Sequence, residues 1–444
     1  MKTWLVVLLV FGVNLCVWSL VGGLRSASEW VEQIVRRRSR AHHRISAVEI
    51  ARSGPHHVDI DDVAVLIPAH DEALVIEDTI RSAMSLIPVS NIFVVSDGSA
   101  DATVELAESC GATVLDIVVP GGKARALKRG LDAFDLQRRF KAVLFLDADT
   151  RLDSGYFDAA LPQFDDPEVV CVAGYATTDW RPRESGVVRQ VLNAHRERVY
   201  VTSQLFVKYG QTWKHSDVTP VVPGFASLYR TGVLHAIDID APGLVIEDFN
   251  MTFELRNKRL GHVAFTPDAV AFTQDPYRLR DYTRQVRRWS LGFWQTIRRH
   301  RLRTSTFGAA LAATVVELVC SSVVIVSTAA ALLVMGASDL LGRTADHVPV
   351  FANVSEQVHR YFDFSLIGVV FIADYLLTCV VAIIQRRPRY LLLGVFFLPL
   401  RLLDSIVALA SIPRAWRVKS TGRWKSPQRQ ATNVPANAAV AAAS

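Results

Sequence analysis

Four short runs of β-branched and aliphatic residues, Val63-Ala-Val-Leu-Ile67, Ile92-Phe-Val-Val95, Ala142-Val-Leu-Phe-Leu146 and Val169-Val-Cys-Val-Ala173, punctuate residues 63–173, and helical patterns separate the first three. That alternation predicts βαβ units, hence an α/β domain with a mostly parallel sheet and flanking helices. The pattern fades near Phe272.

Apolar segments flank this region. Half of the 444 residues are hydrophobic while 21% are charged, which suits a polar domain joined to membrane spans. Residues 4–21 form a first apolar segment. A signal peptide is the rival reading, but the basic block Arg36-Arg37-Arg38-Ser39-Arg40 that follows acts as a cytosolic stop and favours an uncleaved anchor. Further on, Tyr282, Val286, Trp289, Phe293 and Ile297 recur at helical spacing with arginines on the other faces, as in an amphipathic interfacial helix. Residues 311–335 and 366–384 are long enough to span. Residues 391–412 carry Pro399, Arg401 and Asp404, so a full crossing and a broken or re-entrant helix both stay open. The organisation expected is an anchor (1–23), a basic cytosolic juxtamembrane segment (24–62), the α/β domain (63–276), the amphipathic helix (277–304), a C-terminal membrane region (305–413) and a basic, then disordered, cytosolic tail (414–444). The net charge of +6 gathers in runs beside apolar segments, which fits lipid headgroups and a multi-pass place in the cell membrane, not nucleic acid. Five scattered cysteines with no C-x-x-C spacing exclude a disulfide framework or zinc site.

Ligands of open α/β sheets bind at the carboxyl ends of the strands. Three of the runs end in Pro68-Ala69-His70-Asp71-Glu72, Asp97-Gly98-Ser99 and Asp147-Ala148-Asp149. Asp97 alone reads equally as a turn residue or helix cap. Asp147 and Asp149 are different, because two carboxylates at a strand end repel each other and a hard divalent cation holding phosphate oxygens relieves that cost.

In order, Pro68-Ala69-His70-Asp71-Glu72, Asp97-Gly98-Ser99, Gly122-Lys123-x-x-Ala126-Leu127, Asp147-x-Asp149, Glu247-Asp248 and Gln285-x-x-Arg288-Trp289 resemble family 2 glycosyltransferases, closest to the membrane-integrated processive branch of cellulose, hyaluronan and poly-N-acetylglucosamine synthases. The resemblance implies a GT-A type domain inserted between transmembrane helices. It assigns Ala69, His70, Glu72, Asp97, Lys123, Asp147, Gln285 and Arg288 to a nucleotide-sugar donor, UDP-linked by expectation. Asp149, with Asp147, would hold Mg²⁺ or Mn²⁺, and Gly224 and Trp289 would face a glycan or glycolipid acceptor. Asp248 beside Glu247 would be the general base of an inverting displacement. Each residue also has a plainer reading: Lys123 on a solvated helix face, Glu247-Asp248 as a helix cap, Trp289 as an interfacial aromatic. His70-Asp71 stands where the family more often has Tyr-Asn, Ile246 where Thr often precedes the acidic pair, and no Cys follows Gly224. The donor sugar therefore stays open, as does the choice between a polymer exported as it grows and a single sugar added to a polyprenyl-phosphate or glycolipid. Polar residues of the C-terminal helices, Glu317, Asp374, Arg401 and Asp404, would line a channel or pair between packed helices.

Overall fold

The structure is a computed structural model that describes residues 3–42, 57–180, 186–341, 349–362, 364–418, 420 and 429. Eight strands form one sheet in the order β3-β2-β1-β4-β7-β6-β8-β5. They are β1 (Val63–Ala69), β2 (Ile92–Asp97), β3 (Thr113–Ile117), β4 (Ala142–Leu146), β5 (Thr150–Leu152), β6 (Val169–Thr178), β7 (Ala226–Arg230) and β8 (His262–Thr273). The half β3-β2-β1-β4 is parallel throughout. Beyond it β7 runs antiparallel to both β4 and β6, while β6 and β8 pair in parallel. Every residue of β1, β2 and β4 is buried, which is why these strands read as unbroken apolar runs and not as alternations.

Burial on both sheet faces follows from the strand period of two. Val65, Ile67, Ile92 and Val94 pack on one side with Ile76 and Ile80, whereas Leu66, Phe93 and Val95 meet Leu127 and Leu131 on the other. Each such aliphatic side chain removed from water contributes about 1.5–3 kcal/mol. The chain steps outward through β1, β2 and β3 and then returns to the far side of β1 as β4. Loops leaving the carboxyl ends of β1 and β4 therefore diverge, opening a crevice at the switch point.

Numbering only the helices used here, α1 is Thr3–Phe11, α2 Val13–His42, α3 Ile76–Met84, α4 Thr103–Ser109, α5 Lys123–Ala133, α6 Val187–Val201, α7 Glu247–Lys258, α8 Leu279–His300, α9 Thr306–Leu341, α10 Phe364–Ile384 and α11 Phe397–Arg417. Among the described residues, three helices are long and apolar enough to cross a membrane: Thr306–Leu340, Ser365–Ile384 and Arg389–Arg417. The third contains the segment whose path was open from sequence. It is interrupted by a 3₁₀ turn at Gly394–Phe396 and then runs on as α11. Residues 4–21, the expected anchor, fall on α1 and the start of α2. The chain is divided at Gly12, whose φ of 114° breaks the helix, and just past the break the Asn14 amide donates to Glu317 of α9 at 2.6 Å. α8 does not lie alone on a surface: Phe293, Trp294 and Ile297 are buried in a cluster with residues of α7, α9 and α11. The basic block at 36–40 falls on α2, and residues 43–56 and 430–444 lie outside the described residues.

Candidate active site

Lys123 opens α5 and points back across the switch point. Its Nζ lies 2.7 Å from Asp147 Oδ1 and 2.9 Å from Glu247 Oε1, and it donates to the Gly224 carbonyl at 3.3 Å. One ammonium thus ties together strand end β4, the first turn of α7 and the loop before β7, three elements remote in sequence. Asp248 completes the group: its Oδ2 accepts from the Gly224 amide at 3.2 Å and its Oδ1 from the Phe249 amide at 3.0 Å. The turn bearing Asp147 and Asp149 is itself held. The Asp147 amide donates to Phe225 O at 2.9 Å, and the Thr79 hydroxyl of α3 donates to Ala148 O at 2.7 Å.

The electrostatics follow from burial and mutual charge. Burial alone pulls the Lys123 ammonium down, but Asp147, Glu247 and Asp248 outweigh it and hold the ammonium charged, above the ordinary lysine range. Burial pushes the Asp147 carboxyl up, with Asp149 and Glu247 adding to it against the pull of Lys123. Glu247 stays below the usual carboxylate range because Lys123, and more weakly Arg288, overcome its burial. Asp248 goes the other way, pushed up to about 6 by burial and by the charge of Glu247. Two adjacent carboxyls are thereby split, Glu247 ionised and Asp248 poised to exchange a proton near neutrality.

The donor-side residues form a second group. Asp97 accepts from the Gly121 and Gly122 amides at 2.8 and 2.6 Å, an approach that Gly122 permits with its φ of 96°. The His70 Nδ1 donates to the Asp97 carbonyl at 2.8 Å. Ala69 ends β1 in register with Ser96 and is fully buried, so only its backbone can serve a ligand. Glu72, also buried, is engaged by Arg429: Nε lies 3.0 Å from Oε2 and Nη2 3.2 Å from Oε1, while Nη1 lies 2.5 Å from Asp149 Oδ2. Arg429 was not foreseen: it falls in the cytosolic tail, to which sequence reading assigned no site.

The third group sits on α8. Gln285, Arg288 and Trp289 are each half-buried. Gln285 Oε1 accepts from Arg196 Nη2 at 2.7 Å, and the Arg196 guanidinium carbon stands 4.1 Å from the Trp289 ring centroid. Arg196 belongs to α6, whose buried His195, Arg196, Glu197 and Arg198 sequence reading also missed. His195 meets Asp404 at 3.2 Å, Arg198 meets Asp374 at 2.9 Å, and Arg401 meets the same Asp374 at 2.8 Å. With Glu317 bound to Asn14, all four polar residues of the C-terminal helices singled out from sequence have protein partners.

Among the described residues no cluster of three or more His, Cys, Asp or Glu side chains is placed to hold an ion. Asp147 and Asp149 supply two hard carboxylates, and Asp149 already binds a cationic group in Arg429. Such a donor set suits Mg²⁺ or Mn²⁺ held by one or two carboxylates together with substrate phosphates, and not a cage made wholly of protein.

The sequence model of the family described as "Glycosyltransferase like family 2" matches residues 61–292, just over half of the chain. The chain is 24% identical over 259 residues to the poly-β-1,6-N-acetyl-D-glucosamine synthase of Staphylococcus epidermidis, covering 55% of this chain and 60% of that protein. To the synthase of the same name from Staphylococcus aureus (strain COL) it is 24% identical over 243 residues, covering 53% and 55%. The match thus spans little more than half the length of these relatives. Among solved structures, the mannosyltransferase from Pyrobaculum calidifontis in complex with GDP-Man and Mn²⁺ superposes with a TM-score of 0.48 at 14% identity, covering 89% of this chain and 99% of that one.

Proposed function

Because this chain belongs to family 2 of the glycosyltransferases, we propose that it is a membrane-embedded inverting transferase of GT-A type fold that moves a sugar from a nucleotide-sugar to a glycan, extending a polysaccharide as it is exported. The observation that carries the reading is the bridge made by Lys123 between Asp147 and Glu247, with Asp248 bound to Gly224. It sets a carboxylate pair suited to a metal diphosphate, a paired acid and base, and an acceptor-side loop around a single ammonium.

In this reading the donor base and ribose lie against Ala69, His70, Glu72 and Asp97, at and just past the carboxyl ends of β1 and β2. Asp149, with Asp147, would hold Mg²⁺ or Mn²⁺, which neutralises charge gathering on a departing nucleoside diphosphate. Lys123, Gln285 and Arg288 bring donor groups to the phosphate oxygens. Trp289 offers a ring for the terminal acceptor sugar, with Gly224 beneath it. Asp248 Oδ takes the proton of the acceptor hydroxyl as that oxygen forms its bond to the anomeric carbon on the face opposite the leaving phosphate. A single displacement of this kind inverts the centre.

The site faces the cytosol, where nucleotide-sugars are made, and the basic runs beside the spans agree with that side. A second reading, transfer of one sugar to a polyprenyl-phosphate or glycolipid, draws support from the pairing of Asp374 and Asp404 with α6, since residues so engaged do not line an open passage. Product length decides between them. Purified protein in nanodiscs, given each of a panel of UDP- and GDP-sugars in turn, should convert one donor into a ladder or long polymer, whereas a single-sugar adduct on added lipid acceptor selects the second reading.

A further inference from the structure

We propose that Arg196 is a positioning residue for the acceptor side of the site: it fixes the ring of Trp289 and turns the amide of Gln285 so that its two N–H donors face the substrate. The inference rests on the reading of Trp289 as the acceptor platform.

Arg196 is only 2% exposed, and a buried guanidinium is costly unless each of its edges is answered. Here the group is answered from two elements. Nε meets Asp275 Oδ1 at 3.2 Å, just past β8, and Nη2 donates to Gln285 Oε1 at 2.7 Å on α8. The guanidinium carbon stands over the Trp289 ring, 4.1 Å from its centre. Asp275 is fixed in turn, accepting from the Tyr200 hydroxyl at Oδ1 and from the Thr178 hydroxyl at Oδ2, each at 2.8 Å. The guanidinium therefore cannot rotate without breaking the pair, and a cation held over the indole face holds that ring.

Two consequences concern the substrate. The Gln285 oxygen is engaged by Arg196, so the amide nitrogen, a pure donor, is the group turned to the site, which suits the oxygens of a sugar or a phosphate. One face of Trp289 is covered by the cation, so a sugar can stack only on the other. The residues flanking Arg196 grip the membrane helices, His195 through Asp404 of α11 and Arg198 through Asp374 of α10. The height of Trp289 is in this way set jointly by the sheet, through Asp275, and by the spans, through α6.

Lysine keeps the charge but cannot stack on Trp289 and bond in the plane to Asp275 and Gln285 together. R196K is therefore the informative variant, and R196M/D275N removes the charge without leaving Asp275 unpaired. The Trp289 signal is the difference in fluorescence between each protein and the same protein carrying W289F. Acrylamide quenching of that signal is expected to rise at least about twofold in both variants, while UDP with Mn²⁺ binds no more weakly than it does to Q285A. With UDP-N-acetylglucosamine as donor probe and N-acetylglucosamine oligomers as acceptor probe, KM for the acceptor should rise by about tenfold and KM for the donor by no more than Q285A raises it. Unchanged quenching overturns the proposal. So does a loss of UDP binding beyond that of Q285A together with a lowered melting temperature, which makes Arg196 structural only. If W289A leaves acceptor KM unchanged, the acceptor role of Trp289 fails instead, whatever Arg196 does to the ring.

Discussion

Lys123 Nζ stands 2.7 Å from Asp147 Oδ1, so the residue that opens α5 is bound to the end of β4 across the switch point of the sheet. The same nitrogen is 2.9 Å from Glu247. K123M leaves Glu247 buried without its cation, and removing one partner of a buried pair is expected to destabilise by about 3 kcal/mol. Thermal unfolding in detergent checks the size. K123M/E247Q should recover part of the loss, because the orphaned charge is then gone; equal melting of K123M and wild type would show the bridge to be slack.

With Asp248 as the proposed base, its carboxyl should set the pH dependence of transfer. A carboxyl pushed up to about 6 is protonated below that pH and cannot accept a proton from the acceptor hydroxyl. The log of kcat/KM should therefore fall with a slope near one as pH drops through about 6 and be flat above it until another group titrates. An acid limb near the ordinary carboxylate value would mean that neither burial nor the charge of Glu247 raises the Asp248 carboxyl.

If Asp149 holds the proposed divalent cation, Arg429 should compete with it for that carboxylate. The guanidinium lies 2.5 Å from Asp149 Oδ2 and pairs with Glu72 as well, so an arriving ion meets positive charge already in place. R429A is expected to tighten Mn²⁺ binding in the absence of donor by roughly tenfold, about 1.4 kcal/mol. Electron paramagnetic resonance of free Mn²⁺ measures it, and weaker binding in R429A would instead make Arg429 part of the ion's surroundings.

The first strands were legible because burial on both faces turns β1, β2, β4 and β6 into plain apolar runs. β3 was not, since Thr113, Leu115 and Asp116 belong to a half-exposed edge, and β8 contains Pro267 and Asp268 within a strand that shifts register against β6. The order of chemical residues from Asp97 to Trp289 could be read along the chain, but which of them meet could not. α6 escaped notice for a physical reason. His195-Arg196-Glu197-Arg198 looks like a solvated face, and its partners lie far away, Asp275 by 79 residues and Asp404 by 209. Arg429 lies 357 residues from Glu72, a contact that no local pattern signals.

The side of the membrane can be read by labelling. Cysteine placed at Glu356, between the spans α9 and α10, should react with an impermeant maleimide added to intact cells, and cysteine at Asp101, in the turn before α4, should react only after lysis. The reverse pattern would put the catalytic crevice outside, away from any supply of nucleotide-sugar.

The base assignment is tested most directly by comparing donor binding and sugar transfer in D248N. Asparagine keeps the shape and can still accept from Gly224 through its one oxygen, but it cannot take a proton and gives up the second amide bond, from Phe249. With the nucleotide-sugar that wild type turns over, D248N should bind the donor within about threefold of wild type and transfer at least about a thousandfold more slowly. Near wild-type transfer by D248N would contradict the account, because the proton would then have to leave through a group other than the one held beside Lys123 and Glu247.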